Sequence, residues 1–169
     1  MMIRKYFLIA SAVLSVLLLS AAVMGLQTGK NAPNFNLKDQ FDKTWNLSGL
    51  KNKVVVVVAA NRDSGESMGP WVDKLKSRYG NKIQILGLLD LHDIPGIGRG
   101  IAKSRIKKET RDPMMLDFKG DTGKAYEVSD NYPVVVCVDR KSQVRSAQKA
   151  LWNQNAWKVT INSIDAALK

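Results

Sequence analysis

The side chains of this sequence that could do covalent or acid–base chemistry are one cysteine, one histidine and a hydroxyl-rich loop. Cys137 is the only thiol among 169 residues, so a dithiol–disulfide cycle within the chain lacks its second sulfur. It lies in the apolar run Val134 to Val138 and reads as a small apolar group, inert because burial without a nearby cation raises a thiol pKa. That argues against a one-cysteine peroxidase. His92, the only histidine, has Asp90 and Asp93 beside it in a loop after an apolar run. A Ser-His-Asp set built on Ser64 and His92 can be written, but one histidine with two near acids supplies the constellation of neither a hydrolase nor a metal site. No metal and no cofactor is expected. Gly96-Ile97-Gly98-Arg99-Gly100 lacks the Lys-Ser or Lys-Thr ending of a phosphate loop and the glycine spacing of a dinucleotide site. Its glycines read as a tight insertion.

The loop is Asn61-Arg62-Asp63-Ser64-Gly65-Glu66-Ser67, between the apolar run Lys53 to Ala60 and an amphipathic stretch. A helix start leaves backbone N–H groups unpaired and gathers partial positive charge, and Arg62 adds a donor fork suited to carboxylate or phosphate. Arg62, Asp63, Ser64 and Ser67 are therefore a candidate site for an anion or an acidic peptide. Capping alone explains the same residue types: Ser64 or Ser67 as N-cap, with Asp63 and Glu66 favoured by the helix dipole and paired with Arg62. A second candidate is the basic segment Arg99, Lys103, Arg105, Lys107, Lys108 and Arg111, with Glu109 its lone acid. It reads either as a docking face for an acidic partner or as a solvated helix face.

The elements that must position these residues alternate between strand and helix. Asn34 to Leu50 suits a short antiparallel strand pair. Five consecutive valines, Val54 to Val58, predict a strand buried on both faces. Met68, Trp71, Leu75 and Tyr79 mark one face of a helix ending at Gly80. Ile83 to Leu89 is the next strand, and a parallel crossover is the expected connection. The chain then turns irregular after Asp90. Met114 to Phe118 predicts a short strand, Gly120-Asp121-Thr122-Gly123 a turn, and Val134 to Val138 another buried strand. Trp157, Ile161, Ile164 and Leu168 predict a closing amphipathic helix.

The first 25 residues carry Arg4 and Lys5, an apolar stretch from Tyr6 to Met24 and small residues up to Gly25, the layout of a secretory signal cleaved after Gly25. The same stretch could serve as an uncleaved anchor in an inner membrane, through residues 6–24. Residues 26–169 then form one domain, periplasmic or secreted, whose core is stable without a disulfide. The chain carries +11. An exported basic domain meets an envelope protein, an anionic ligand or a membrane surface rather than nucleic acid. A monomer is expected.

The order of elements, with Ala32-Pro33-Asn34-Phe35 near the start, Leu116-Asp117, and Tyr132-Pro133 directly before Val134-Val135-Val136-Cys137-Val138-Asp139, resembles the thioredoxin-like fold of exported redoxins. The resemblance implies an α/β domain with a central mixed sheet and helices on both faces. It also implies a cis bond between Tyr132 and Pro133, facing the active-site helix and presenting the Tyr132 backbone to an extended peptide. More narrowly, Ala60-Asn61-Arg62-Asp63-Ser64, Ile94-Pro95-Gly96-Ile97-Gly98 and Ser104 resemble the YtfJ group of periplasmic thioredoxin-like proteins, which lack the cysteine pair. Counted from the valine strand, the cysteine positions fall on Ser64 and Ser67; counted from Pro70, on Arg62 and Gly65. Neither pair holds a thiol, so the resemblance implies a binding or accessory module, with a redoxin that uses partner thiols, or a Ser/His hydrolase, as the alternative.

Overall fold

The computed structural model describes residues 26–169, and the expected signal segment lies outside them. The valine run forms the central strand β3 (Val55–Asn61). It follows two short strands, β1 (Asn36–Lys38) and β2 (Thr44–Asn46), which pair antiparallel as a separate ribbon. β3 pairs parallel with β4 (Gln84–Asp90) and antiparallel with β6 (Val134–Val138). With β5 (Met114–Asp117) beside β4 and β7 (Val144–Lys149) beside β6, the mixed sheet has the order β5-β4-β3-β6-β7.

Alternation along the buried strands divides the core in two. Val55, Val57 and Ala59, with Leu86, Leu88 and Val136, face Phe35, Trp45 and Leu47 of the ribbon side and Tyr126. Val54, Val56, Val58 and Ala60, with Val135 and Cys137, lie under α1 (Gly69–Tyr79) and α4 (Gln154–Leu168). The stripe Met68, Trp71, Leu75 and Tyr79 is buried as its spacing predicts. Pro70 sits in the first turn of α1, where its missing N–H costs nothing, and Gly80 ends the helix with φ 50°. Asn153 caps α4 by accepting the Ala156 N–H at 3.0 Å. The Tyr79 hydroxyl donates to Asp165 at 2.8 Å and ties the two helices together.

Three segments depart from expectation. Residues after Asp90 form α2 (Gly96–Glu109) instead of an irregular insertion. Glycine costs only about 1 kcal/mol per residue in a helix, and side-chain anchors offset that. Arg99 donates to the Phe118 carbonyl at 3.2 Å, Lys103 pairs with Asp42, and Lys107 lies over the Phe41 ring. These cations recur every four residues and hold one side of a helix that has no buried residue. The expected turn at Gly120–Gly123 leads into a short helix, α3 (Asp121–Ala125). The buried Asp117 carboxylate seeds it by accepting the N–H groups of Lys119, Gly120, Thr122 and Gly123 at 2.8–3.1 Å. The expected cis bond at Pro133 is not found: no peptide among the described residues is cis. Trans is the lower-energy X–Pro isomer by about 0.5–1 kcal/mol, and here it delivers the buried Pro133 into β6 with its carbonyl accepting the Ala150 N–H.

Candidate functional site

Parallel register sets Asn61, Asp90 and Asp117 side by side at the carboxyl ends of β3, β4 and β5. Each polar side chain there organises the loop that follows it. The Asn61 amide oxygen accepts from the backbone of Asp63 at 3.1 Å and of Ser64 at 3.0 Å, and from the Ser64 hydroxyl at 2.8 Å. This is an Asx turn, the local alternative that asparagine offers to continued strand. The Asn61 amide nitrogen donates to Asp130 at 2.6 Å, and the Ser64 hydroxyl also lies 3.3 Å from the Ser129 carbonyl. The loop 61–67 is thus fastened across the sheet, at the β3–β6 boundary, to the segment leading into Tyr132 and Pro133.

Ser64 is buried, and its hydroxyl serves this network instead of capping a helix. It precedes a 3-10 turn over Gly65–Met68, in which the half-buried Ser67 donates its N–H to the Ser64 carbonyl. Arg62 is exposed, 3.5 Å from Asp63 and 3.4 Å from Asp93. Its cation is shared between two acids, and Glu66 and Asp130 add negative charge nearby in sequence and space. Tyr132 is 46% exposed and Pro133 is buried. Asn61 and Ser64 tie the loop to Asp130 and Ser129, which precede Tyr132 and Pro133 in the chain, and neither Tyr132 nor Pro133 bonds the loop directly. Sequence reasoning missed Asn61 and Asp130 as its organisers, although an asparagine three residues before a serine at a strand end is a recognisable Asx signature.

His92 is bonded to Asp90 and not to Ser64. Its Nδ1 lies 2.8 Å from the Asp90 carboxylate, which also accepts the His92 N–H at 3.1 Å. The hydrogen bond and negative charge of Asp90 raise the imidazole pKa above its ordinary value. Asp90 is itself buried against Gly123, where a Cβ would collide with the carboxylate. Ser64 and His92 make no hydrogen bond with each other, so no nucleophile–base pair is assembled. Among the described residues no group of three His, Cys, Asp or Glu side chains is arranged for a metal.

Cys137 is the fourth of the five residues of β6, fully buried beneath α1 and α4, and burial pushes its thiol up to about 12. The basic segment is divided in its roles. Arg99, Lys103 and Lys107 seat α2, Arg105 pairs with Glu109 at 2.7 Å, and Lys108 and Arg111 face solvent.

No protein-family model matches the chain, and no curated protein matches it. Solved structures do. A candidate thiol:disulfide interchange protein DsbE from Chlorobium tepidum superposes with a TM-score of 0.66 at 20% identity, covering 86% of this chain and 100% of that one. The chain has a thioredoxin-like fold. The pneumococcal exposed lipoprotein thioredoxin Etrx1 from Streptococcus pneumoniae strain TIGR4 matches at TM-score 0.61 and 20% identity, over 77% of this chain and 98% of that one. The thioredoxin domain of the thiol-disulfide oxidoreductase BVU-2223 from Bacteroides vulgatus matches at 0.61 and 14% identity, over 86% and 100%. In this thioredoxin-like chain the loop between the central strand and the first long helix carries amide, hydroxyl, carboxylate and guanidinium groups and no thiol. Among the described residues, no helix is long and apolar enough to cross a membrane.

Proposed function

We propose that this chain is an exported thioredoxin-like binding or accessory module of the cell envelope, similar to the YtfJ group, with no dithiol chemistry of its own and an acidic peptide or other anionic partner. The observation that carries the reading is the placement of Cys137: the one sulfur nucleophile lies in the sheet centre with its pKa raised to about 12. The site we assign is the fastened loop, with Arg62 and Asp63 exposed, Ser67 half-buried and Ser64 buried beneath them, together with the exposed Tyr132 and the buried Pro133. Because Asp63 and Asp93 already share Arg62, an anion there must displace an exposed ion pair, which costs about 0–1 kcal/mol. The solvent-facing Lys108 and Arg111 add longer-range attraction.

Fluorescence anisotropy with a labelled deca-glutamate peptide tests the reading. Saturable binding that weakens with added salt and drops in Arg62→Ala or in Lys108→Glu/Arg111→Glu supports it. Binding indifferent to salt and to both variants refutes it. The names of the matched structures favour a second reading, a redoxin that works on partner thiols. Catalytic turnover in an insulin-reduction assay with dithiothreitol, retained in Cys137→Ala, would establish that one instead.

A further inference from the structure

Between α1 and α2 lies a groove of about 1140 Å³, bordered at one end by Arg62, Gly65 and Glu66 of the loop 61–67. It exists because α2 stands off the sheet and buries no residue. Its floor is the face of β4 that α1 leaves uncovered. Ile85 and Leu89 point into it on either side of Gly87, whose missing side chain is replaced by the thioether ends of Met114 and Met68. Val72 of α1 and Ile101 of α2 form the walls. Ile101 is 74% exposed although it lines the groove. Methionines at such a floor adapt to the shape of an apolar guest.

One end of the groove is charged with a single sign. Lys53, Lys82 and Arg140 line it where β3 and β4 begin and β6 ends; none has an acidic partner among the described residues, and Arg140 donates to the Leu168 carbonyl at 3.0 Å. Two of the groove's acids are engaged, Asp112 with Lys76 at 2.8 Å and Glu109 with Arg105 at 2.7 Å. Glu66 and Asp73 lie before and in the first half of α1, which runs back along β4 and so places them toward the opposite end. From Gln84 to Leu89 the floor runs about 16 Å at the strand rise. A groove with an apolar floor of that length, closed at one end by three cations without acidic partners, matches a long alkyl chain with one anionic head.

We propose that the groove binds a single long-chain fatty carboxylate, its alkyl chain on Ile85, Leu89, Met68 and Met114 and its carboxylate at Lys53, Lys82 and Arg140. This goes beyond the partner site at residues 61–67, whose Arg62 and Glu66 border the groove but take no part in the proposed contacts. Each methylene buried strengthens binding by about three- to fourfold, so chain length and head charge are separable. Exposed apolar surface of this kind on a soluble domain marks an interaction site more often than a defect.

The test uses the full chain with 11-(dansylamino)undecanoate as fluorescent probe, displaced by dodecanoate, octanoate and dodecanol. Saturable binding is expected, with octanoate at least tenfold weaker than dodecanoate. Ile101→Glu, on an exposed position that leaves folding intact, is expected to weaken every chain at least tenfold. Lys53→Glu/Lys82→Glu is expected to weaken dodecanoate about tenfold and dodecanol less than twofold. Melting curves confirm that each variant is folded. Absence of saturable probe binding, insensitivity to Ile101→Glu, or equal loss for acid and alcohol overturns the proposal. So does cosedimentation with phosphatidylglycerol vesicles that depends on Ile97, which is 93% exposed and outside the groove, without binding of the monomeric probe.

Discussion

Replacing Asn61 by alanine removes the one side chain that both shapes the loop 61–67 and ties it to the segment before β6. Three bonds to its amide oxygen disappear, from Asp63, from the Ser64 backbone and from the Ser64 hydroxyl. The link to Asp130 disappears with them. The buried Ser64 hydroxyl is not orphaned, because it can turn to the Ser129 carbonyl at 3.3 Å. Each lost neutral bond in this half-buried setting contributes about 0.5–1 kcal/mol, and the exposed Asp130 link under about 1 kcal/mol. The expected loss is about 2 kcal/mol, or a fall of about 6 °C in Tm for a domain of this size. Urea unfolding gives the stability, and amide exchange at Asp63 and Ser64 shows where the loss falls. Those two amides should exchange faster while Val56 and Val57 in β3 change only by the global amount. Asn61→Asp separates the two roles: it keeps the acceptor that shapes the turn and sets a second carboxylate against Asp130, so it should release Asp130 without melting the loop. A stability within about 0.5 kcal/mol of the parent for Asn61→Ala, or exchange that rises evenly over the whole chain, would refute the view that this network fastens the loop.

Other expectations follow from single contacts. Cys137 should resist a thiol reagent in the folded chain from pH 7 to 10, since burial holds its pKa near 12, and should react at the rate of unfolding; rapid native labelling would contradict its placement. The His92 imidazole should titrate above 6.5 because of Asp90, and Asp90→Asn should bring it down, as read by NMR. Because the folded pKa is raised, the stabilisation from this pair is complete below about pH 6.5 and is lost as pH rises through the folded midpoint; stability that grows over that window in the wild type but not in Asp90→Asn would reverse the sign. Gly123→Ala should cost about 1–3 kcal/mol by denaturant titration, since its methyl collides with Asp90, and should also lower the His92 titration midpoint.

The strands and the two long buried helices were legible because burial wrote itself into spacing. Valines on both faces gave β3, and the stripe from Met68 to Tyr79 gave α1. α2 was not legible, because it buries nothing and its periodicity belongs to the cations Arg99, Lys103 and Lys107, whose partners lie far away in the sequence at Phe118, Asp42 and Phe41. The site was half legible. Loop position and the absence of sulfur could be read from Asn61 to Ser67, while its fastening to Ser129 and Asp130 could not, since that contact spans 65 to 69 residues. The groove was invisible for the same reason, being a space between elements.

The loose seating of α2 gives the molecule two tiers of stability. Its ladder neighbours β4 and β5 are held by each other and by β3, so the connection between them can fray, swing or be nicked at its lysines and arginines without disturbing the sheet. The outer wall of the groove is then the part of the molecule that local unfolding would remove first, and anything that bridges α1 to α2 would hold that wall in place.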